Sequence, residues 1–231
     1  MAKLYELHPT NPQSRRIEEI RDALRQGAIM LYPTDTVYAI GCDLNVKSAV
    51  QRVRQIKQLS NDKPLTFLCS SLSHAAHYAH ITDSNYRLLK PLVPGPYTFL
   101  LPATKLVPKL VMNPKRKTAG IRMPDNPVCQ MLLQALDNPV ISTSAHLPDL
   151  APRDDRTKDA AYQVERAELF DHLEPIVDII VALENEEASI LSHDPEYKVS
   201  TILDLTGSEP TVIRKGLGWS ALREWDLAVS A

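Results

Sequence analysis

The sequence predicts a single-domain α/β protein whose helices flank a sheet of mixed parallel and antiparallel strands. Apolar runs of strand length alternate with segments of helical periodicity, as is typical of one α/β sheet. The last three apolar runs, at 176–183, 199–206 and 210–216, have no full helix between them, so part of the sheet should be antiparallel. No segment has the composition of a linker between two domains.

The composition is ordinary for a soluble globular protein, with 44% hydrophobic and 23% charged residues among 231. No apolar run approaches the roughly 18 residues of a membrane span, and the first residues lack the apolar region of a signal peptide. The three cysteines are far apart and odd in number, which favours a reducing compartment over a disulfide framework. We therefore expect a cytoplasmic protein.

The first half of the chain predicts two strands and two helices in alternation. A strand at 2–7 precedes a helix that Ser14 is expected to cap and Gly27 to end. A short strand at 28–32 follows, and Asn45 is expected to cap the second helix.

The middle of the chain predicts four further strands and several helices. Asn126 is expected to cap a helix that has Pro127 in its first turn. One or two helices are expected between His74 and Leu92, and another near 160–169. The strands are predicted at 65–69, 97–103, 118–124 and 139–144.

The charge is distributed unevenly, although the net charge is only −2. No Asp or Glu occurs from Ser84 to Pro124, whereas the segment 154–196 is mainly acidic. This asymmetry suggests a face that meets anions, and the alternative is a solvated surface of uneven composition. The basic residues of the first segment are Arg87, Lys90, Lys105, Lys109, Lys115, Arg116, Lys117 and Arg122.

Several predicted strands end in small hydroxyl residues or carry a single arginine. In α/β sheets ligands gather where strand ends meet, and hydroxyl and guanidinium groups suit phosphate and carboxylate oxygens. A serine or threonine at a strand end more often bonds the local backbone, so the prediction depends on recurrence. The residues concerned are Thr34, Thr36, Ser142, Thr143, Ser144, Ser200, Thr201, Arg122 and Arg214, with Lys57 ending the second helix.

Common catalytic motifs are absent from the sequence. It contains no G-x-x-x-x-G-K-[ST] or G-x-G-x-x-G loop, no G-x-S-x-G elbow and no H-E-x-x-H, and only seven glycines. His74, His77 and His80 are spaced by three, but no acidic or cysteine partner lies nearby. We therefore expect neither a metal site there nor a catalytic nucleophile.

Seven segments resemble the YrdC/YciO superfamily, the threonylcarbamoyl-AMP synthases and their relatives. The resemblance extends from Leu4 to Gly216, which implies one YrdC-like domain at 4–216 and a C-terminal tail at 217–231. The family fold is a twisted α/β sheet with a concave, basic cavity. The segments are "YPTDTVYAIGCD", "IKQLSNDKPLTFL", "PGPYTFLLPA", "TAGIRMPDNPV", "PVISTSAH", "STILDLT" and "VIRKG".

The resemblance implies that the chain condenses L-threonine, bicarbonate and ATP, with Mg²⁺, to threonylcarbamoyl-AMP and pyrophosphate. That product supplies the threonylcarbamoyl group of a modified adenosine in tRNA. Position by position, the resemblance implies threonine binding by Thr34, Arg122, Ser142 and Ser200, and ATP binding by Lys57, Asn61, Thr118, Ser144 and Arg214. Asp35 is expected to organise its loop. No catalytic side chain is needed, because positioning and charge stabilisation suffice.

The chain departs from the synthase pattern at three positions. The pattern K-x-R-P appears as 57–60 with Leu59 in place of arginine, S-x-S-A-N ends in His146, and Ala39 replaces a usual glycine. Together with "KRKTAGIRMP", these features resemble the YciO branch. An alternative function is therefore double-stranded RNA or tRNA binding with little or no synthase activity, with phosphate contacts from Lys105, Lys109, Lys115, Arg116 and Lys117.

Overall fold

The computed structural model describes residues 1–59, 65–145, 166–184, 199–222, 225 and 228–229, and these residues contain one large sheet. Its strands are β1 (Lys3–Leu7), β2 (Met30–Tyr32), β3 (Ala39–Asp43), β4 (Thr66–Leu68), β5 (Tyr97–Pro102), β6 (Thr118–Arg122), β7 (Val140–Ser144), β8 (Ile179–Leu183), β9 (Thr201–Asp204), β10 (Thr211–Arg214) and β11 (Ala228–Val229). The helices are α1 (Ser14–Arg25), α2 (Lys47–Ile56), α3 (Leu72–Ala75), α4 (Asp83–Leu89), α5 (Pro127–Leu136), α6 (Arg166–Leu173) and α7 (Trp219–Leu222).

The sheet is mixed, as the sequence predicts. Its strand order is β1-β8-β2-β3-β7-β4-β6-β5-β9-β10-β11. Strand β3 pairs antiparallel with both β2 and β7, whereas β4 runs parallel to β6. Among the late strands, β10 pairs antiparallel with β9. The predicted α/β class with a mixed sheet flanked by helices is confirmed.

The helix ends follow the predicted signals only in part. Gly27 has φ of +97°, a left-handed conformation that glycine adopts without steric cost, and it follows α1 as predicted. Asn126 caps α5, because its side chain accepts a hydrogen bond from the Cys129 backbone N–H at 3.0 Å. The predicted caps at Ser14 and Asn45 are wrong, since Gln13 and Val46 precede the two helices without a side-chain cap.

The two faces of the sheet differ in what covers them. One face packs with α2 into a core that includes Leu31, Phe67, Phe99 and Ile141, all of them fully buried. Helices α1 and α5 cover the opposite face over β1, β8, β2 and the adjoining ends of β3, β4 and β7. The remaining part of that second face, over β7, β4, β6, β5 and β9, positions the site described below.

The segment after Gly216, predicted as a tail, includes α7 and β11. Trp219 and Leu222 are buried, and β11 pairs with β10. Helix α7 and strand β11 therefore pack against the rest of the protein. No helix within the described ranges has both the length and the apolar character needed to cross a membrane.

Candidate functional site

Strand register brings most of the predicted site residues to one face of the sheet. Directly paired residues on neighbouring strands point to the same face, and residues two apart on a strand share it. The pairs run Gly41–Ser142, Ser142–Thr66, Thr66–Gly120, Gly120–Leu100 and Leu100–Asp204. We call this surface the polar face. By the same alternation it carries Thr98, Thr118, Arg122, Ser144 and Ile202.

The polar face is partly open to solvent. Thr66, Leu100, Ser144 and Ile202 are half-buried, and Gly120 lies between them without a side chain. The hydroxyls of Thr66, Ser144 and the buried Thr118 form no hydrogen bond with residues that the structure describes. Within the described part of the chain, these hydroxyls are therefore available to donate to the oxygen atoms of a ligand.

The β2–β3 loop folds over the polar face and is held there by Arg122. The Arg122 guanidinium donates from Nη2 to Asp35 Oδ1 at 2.5 Å and to Thr36 Oγ1 at 2.9 Å. The Thr34 hydroxyl accepts from the Thr36 backbone N–H at 3.1 Å and donates to the Val37 carbonyl at 2.7 Å. The hydroxyls and carboxylate that interrupt this apolar segment thus fix the loop above the sheet, as expected for Asp35.

The Asp35–Arg122 ion pair is buried, with side-chain exposures of 8% and 11%. It leaves polar atoms unsatisfied, since Asp35 Oδ2 and Arg122 Nε have no hydrogen-bond partner in the described part of the chain. Unpaired buried polar atoms are costly, so this pair is an energetically strained element of the site rather than a simple source of stability.

Ser142 is oriented by Tyr32 at the covered end of the polar face. The Tyr32 hydroxyl lies 2.6 Å from the Ser142 hydroxyl. Burial raises the pKa of Tyr32 well above its ordinary value, so the phenol stays protonated and donates to Ser142 Oγ. The serine oxygen then keeps its own proton to donate to a ligand.

A second polar cluster lies at the start of β9. The hydroxyls of Thr98 and Ser200 are 3.0 Å apart. Arg214 donates from Nε and Nη2 to the Ser200 carbonyl at 3.0 and 2.8 Å and from Nη2 to the Ser200 hydroxyl at 3.1 Å. Thr98 on β5 lies opposite Arg122 on β6 in the strand register. This cluster therefore extends the row of polar side chains from Arg122 toward β10.

Lys57 is not joined to the other predicted site residues by any hydrogen bond or ion pair within the described ranges. It ends α2 and is half-buried, and burial lowers its pKa to about 8. Leu59, which replaces the arginine of the synthase pattern, packs against the hydrophobic core. Asn61 and His146 lie outside the described residues.

The predicted RNA contacts are all exposed but do not behave alike. Lys105, Lys109, Lys115 and Lys117 form no side-chain ion pair with the described residues. Arg116 instead reaches the polar face and donates to the Asp204 carboxylate.

His74, the predicted histidine that lies within α3, is next to a hydroxyl group. His74 Nδ1 lies 3.1 Å from the Ser70 hydroxyl. No group of three or more His, Cys, Asp or Glu side chains in the described ranges is placed to hold a metal ion.

Sequence reasoning missed Tyr32, Thr66 and Thr98 as members of the site. Each lies inside an apolar strand rather than at its end. Thr66 and Thr98 occupy alternate positions from the fully buried Phe67 and Phe99, so the period-two pattern of their strands is the signal that points to them. Tyr32 has no such signal, because its ring is buried and only its hydroxyl reaches the site.

A mixed α/β sheet with a partly open polar face of hydroxyls and guanidinium groups is characteristic of a ligand-binding α/β protein. A family model described as "Telomere recombination", for Sua5, YciO and YrdC proteins, matches residues 22–216. The chain belongs to the Sua5/YciO/YrdC family.

Similar proteins include YciO. YciO of Escherichia coli is 37% identical over 218 residues, covering 94% of this chain and 97% of YciO, and is described as uncharacterized. Its crystal structure aligns with a TM-score of 0.78 over 94% of this chain and 97% of that one, at 35% identity.

A threonylcarbamoyl-AMP synthase of Vibrio vulnificus is 33% identical over 134 residues, covering 57% of this chain and 72% of the synthase. P. abyssi Sua5, solved in complex with L-threonine, shares the fold, with a TM-score of 0.79 over 98% of this chain and 62% of that one at 21% identity.

Proposed function

We propose that the protein condenses L-threonine, bicarbonate and ATP to threonylcarbamoyl-AMP and pyrophosphate on the polar face. The observation that supports this most strongly is that Ser142, Arg122, Thr98, Ser200 and Arg214 lie on or beside β7, β6, β5, β9 and β10, within six adjacent strands of the sheet. The family relationship to a threonylcarbamoyl-AMP synthase supports the same reaction.

The proposed reaction needs a surface that positions reactants rather than a protein nucleophile. Bicarbonate carboxylates the amine of threonine, with loss of water. A carbamate oxygen then attacks the α-phosphorus, the bond from this phosphorus to the bridging oxygen breaks, and pyrophosphate leaves. Orienting the reactants alone can contribute about 7–11 kcal/mol.

The threonine end of the site would use Thr34, Arg122, Ser142 and Ser200. Arg122 is held by Asp35 and Thr36 through one nitrogen only. A guanidinium has five N–H donors, so the others can serve a carboxylate. Ser142 would donate to the same ligand, because Tyr32 satisfies its acceptor side.

The nucleotide would lie toward Thr118 and Ser144, whose hydroxyls are unbonded within the described residues. These two residues lie at the same end of their strands, since β6 begins and β7 ends there. Lys57, Asn61 and Arg214 are the further nucleotide contacts that the family resemblance implies. The half-buried Lys57 ammonium would gain a counterion on binding phosphate.

Mg²⁺ would enter bound to the triphosphate. Mg²⁺ at phosphate sites commonly keeps several waters and few protein ligands. This fits the described residues, which offer no cluster of metal-binding side chains, and whose two carboxylates on the polar face, Asp35 and Asp204, are both paired with arginines. The ion would supply charge neutralisation on the phosphates.

The direct test is pyrophosphate release by the purified protein. With ATP, bicarbonate and Mg²⁺ present, release should depend on added L-threonine, and threonylcarbamoyl-AMP should appear by mass spectrometry. Ser144→Ala should lower the rate about 2- to 10-fold by removing one hydrogen bond. Ser48→Ala, an exposed serine on α2, is the matched control and should not lower it. Release that does not require threonine would contradict the proposal.

We also propose RNA binding as a second candidate function, because Lys105, Lys109, Lys115 and Lys117 are exposed and lack an anionic partner among the described residues. Such cations bind phosphates by releasing counterions, so affinity should fall steeply with salt. Replacing Lys115 and Lys117 together by glutamine should weaken retention of double-stranded RNA or tRNA and lower the salt slope by about 1–2. An unchanged affinity and slope would exclude this surface.

A further inference from the structure

Asp204 ends β9 and lies on the part of the polar face that is farthest from β7. It pairs with Leu100, which pairs with Gly120, so its side chain is on the same face as Thr66 and Ser142. Its Oδ1 accepts from the Thr206 backbone N–H at 3.0 Å and from the Thr206 hydroxyl at 2.6 Å. Burial opposes its ionisation, but the bonds from Thr206 and Arg116 outweigh burial and lower the pKa of Asp204. The carboxylate is therefore fixed and charged.

Arg116 is held against this carboxylate from both its backbone and its side chain. Its backbone N–H donates to Asn113 Oδ1 at 3.0 Å, within a turn that Lys117 closes by donating to the Asn113 carbonyl at 2.8 Å. Its Nη2 donates to Asp204 Oδ2 and to Thr206 Oγ1, the latter at 3.3 Å. The neighbouring side chains of Lys115 and Lys117 have no such contacts with the described residues.

The guanidinium keeps unused donors on the polar face. Both side-chain hydrogen bonds of Arg116 come from Nη2, whereas Nε and Nη1 make none with the residues that the structure describes. The Arg116 side chain is 49% exposed while that of Asp204 is 9% exposed, so the arginine is accessible to a ligand and its partner is buried. An arginine fixed on one edge by a carboxylate can bind a phosphate through its other edge.

The charge already present leaves room for another cation. Arg122 is paired with Asp35, and Leu59 contributes no charge. Arg116 precedes Thr118, a predicted nucleotide contact, by two residues at the edge where β6 begins. A polyphosphate lying along that edge would therefore meet the Arg116 guanidinium.

We propose that Arg116 is a phosphate-binding residue of the polar face, positioned by Asp204, rather than a member of the exposed basic cluster. The ligand it recognises is the polyphosphate chain of a nucleoside triphosphate. This inference rests on the proposed function for the location of the nucleotide, and it assigns to Arg116 the charge that Leu59 does not supply.

The test compares ATP with adenosine, because only the first has phosphates. Arg116→Gln should weaken ATP binding about 10- to 100-fold by calorimetry and leave adenosine binding unchanged. Arg116→Lys should recover part of the loss. Arg87→Gln, which removes an exposed arginine from α4, is the matched control and should bind ATP as the unmodified protein does.

The same measurements separate this inference from the proposed function. If the unmodified protein binds ATP and Arg116→Gln binds it equally well, the assignment of Arg116 is wrong while the proposed function stands. If Arg116→Gln loses ATP and adenosine to the same extent, the residue only supports the fold of its loop, and the assignment is again wrong. If the unmodified protein binds no ATP, the proposed function fails and this inference fails with it.

Discussion

Gly120 offers the sharpest way to fill the proposed site without disturbing the fold. It lies at the centre of the polar face, and a Cβ added there would lie 3.6 Å from Thr66 Oγ1 and 3.7 Å from both Leu100 Cδ2 and Thr98 Cγ2. These are ordinary van der Waals separations, so Gly120→Ala introduces no clash within the protein. The new methyl group would instead project from the floor of the site toward a bound ligand.

The expected effects on stability and binding are opposite in sign. Gly→Ala at a compatible position stabilises by about 0.4–1 kcal/mol, because the unfolded chain loses freedom. Overpacking a fitted contact costs about 1–3 kcal/mol, which corresponds to roughly a 5- to 150-fold loss of ligand affinity. We therefore expect Gly120→Ala to unfold at the same or slightly higher urea concentration and to bind ATP and threonine more weakly.

Urea denaturation and calorimetry measure the two effects separately. Gly207→Ala is the matched control, because Gly207 is exposed and an added Cβ would have its nearest neighbour at 3.6 Å. The control should bind both ligands normally. Undiminished binding by Gly120→Ala, with a normal unfolding transition, would refute the location of the site on the polar face.

Three further predictions concern Lys57, the Asp35–Arg122 pair and Gly216. The pKa of Lys57 is about 8, and a bound phosphate favours its charged form. ATP affinity should therefore fall as the pH rises through about 8, by at most tenfold per pH unit. Lys57→Arg should abolish this pH dependence. Arg122→Gln should lower the free energy of unfolding in urea by about 3–5 kcal/mol, because it leaves a buried carboxylate unpaired. Adding Asp35→Asn should recover part of this loss. A double variant whose effects are purely additive would contradict the pairing. Gly216→Ala should lower the free energy of unfolding by about 1–3 kcal/mol or more, because its Cβ would lie 2.3 Å from the Val199 carbonyl oxygen. An unchanged unfolding midpoint would show that this contact relaxes freely.

Most strands of the sheet were predictable from sequence because apolar runs mark them without reference to distant partners, whereas β3 and β11 were not predicted. The cap at Asn126 was also predictable, since a proline in the following position restricts the chain to one start. Ser14 and Asn45 carry the same capping chemistry, yet both helices begin without it. Asn45 N–H instead donates to Asp43 Oδ1 at 2.8 Å, so a local turn competes with the cap.

The site was predictable only where a residue type suggests its own chemistry. Thr34, Arg122, Ser142 and Ser200 stand out as polar residues at strand ends, and the structure brings Arg122 into contact with the loop of Thr34. The contact between Arg116 and Asp204 was not predictable, because the two residues are 88 apart and only the fold brings them together. Strand order depends on long-range pairing, which local sequence patterns do not specify.

A crystal structure of the protein with ATP and L-threonine bound would show directly whether the polar face holds both ligands. We expect both ligands to lie on the polar face over Gly120, with the threonine carboxylate within hydrogen-bond distance of Arg122 and the phosphates near Thr118 and Arg116. Ligands found on another surface, or on this face with neither arginine in contact, would contradict this expectation.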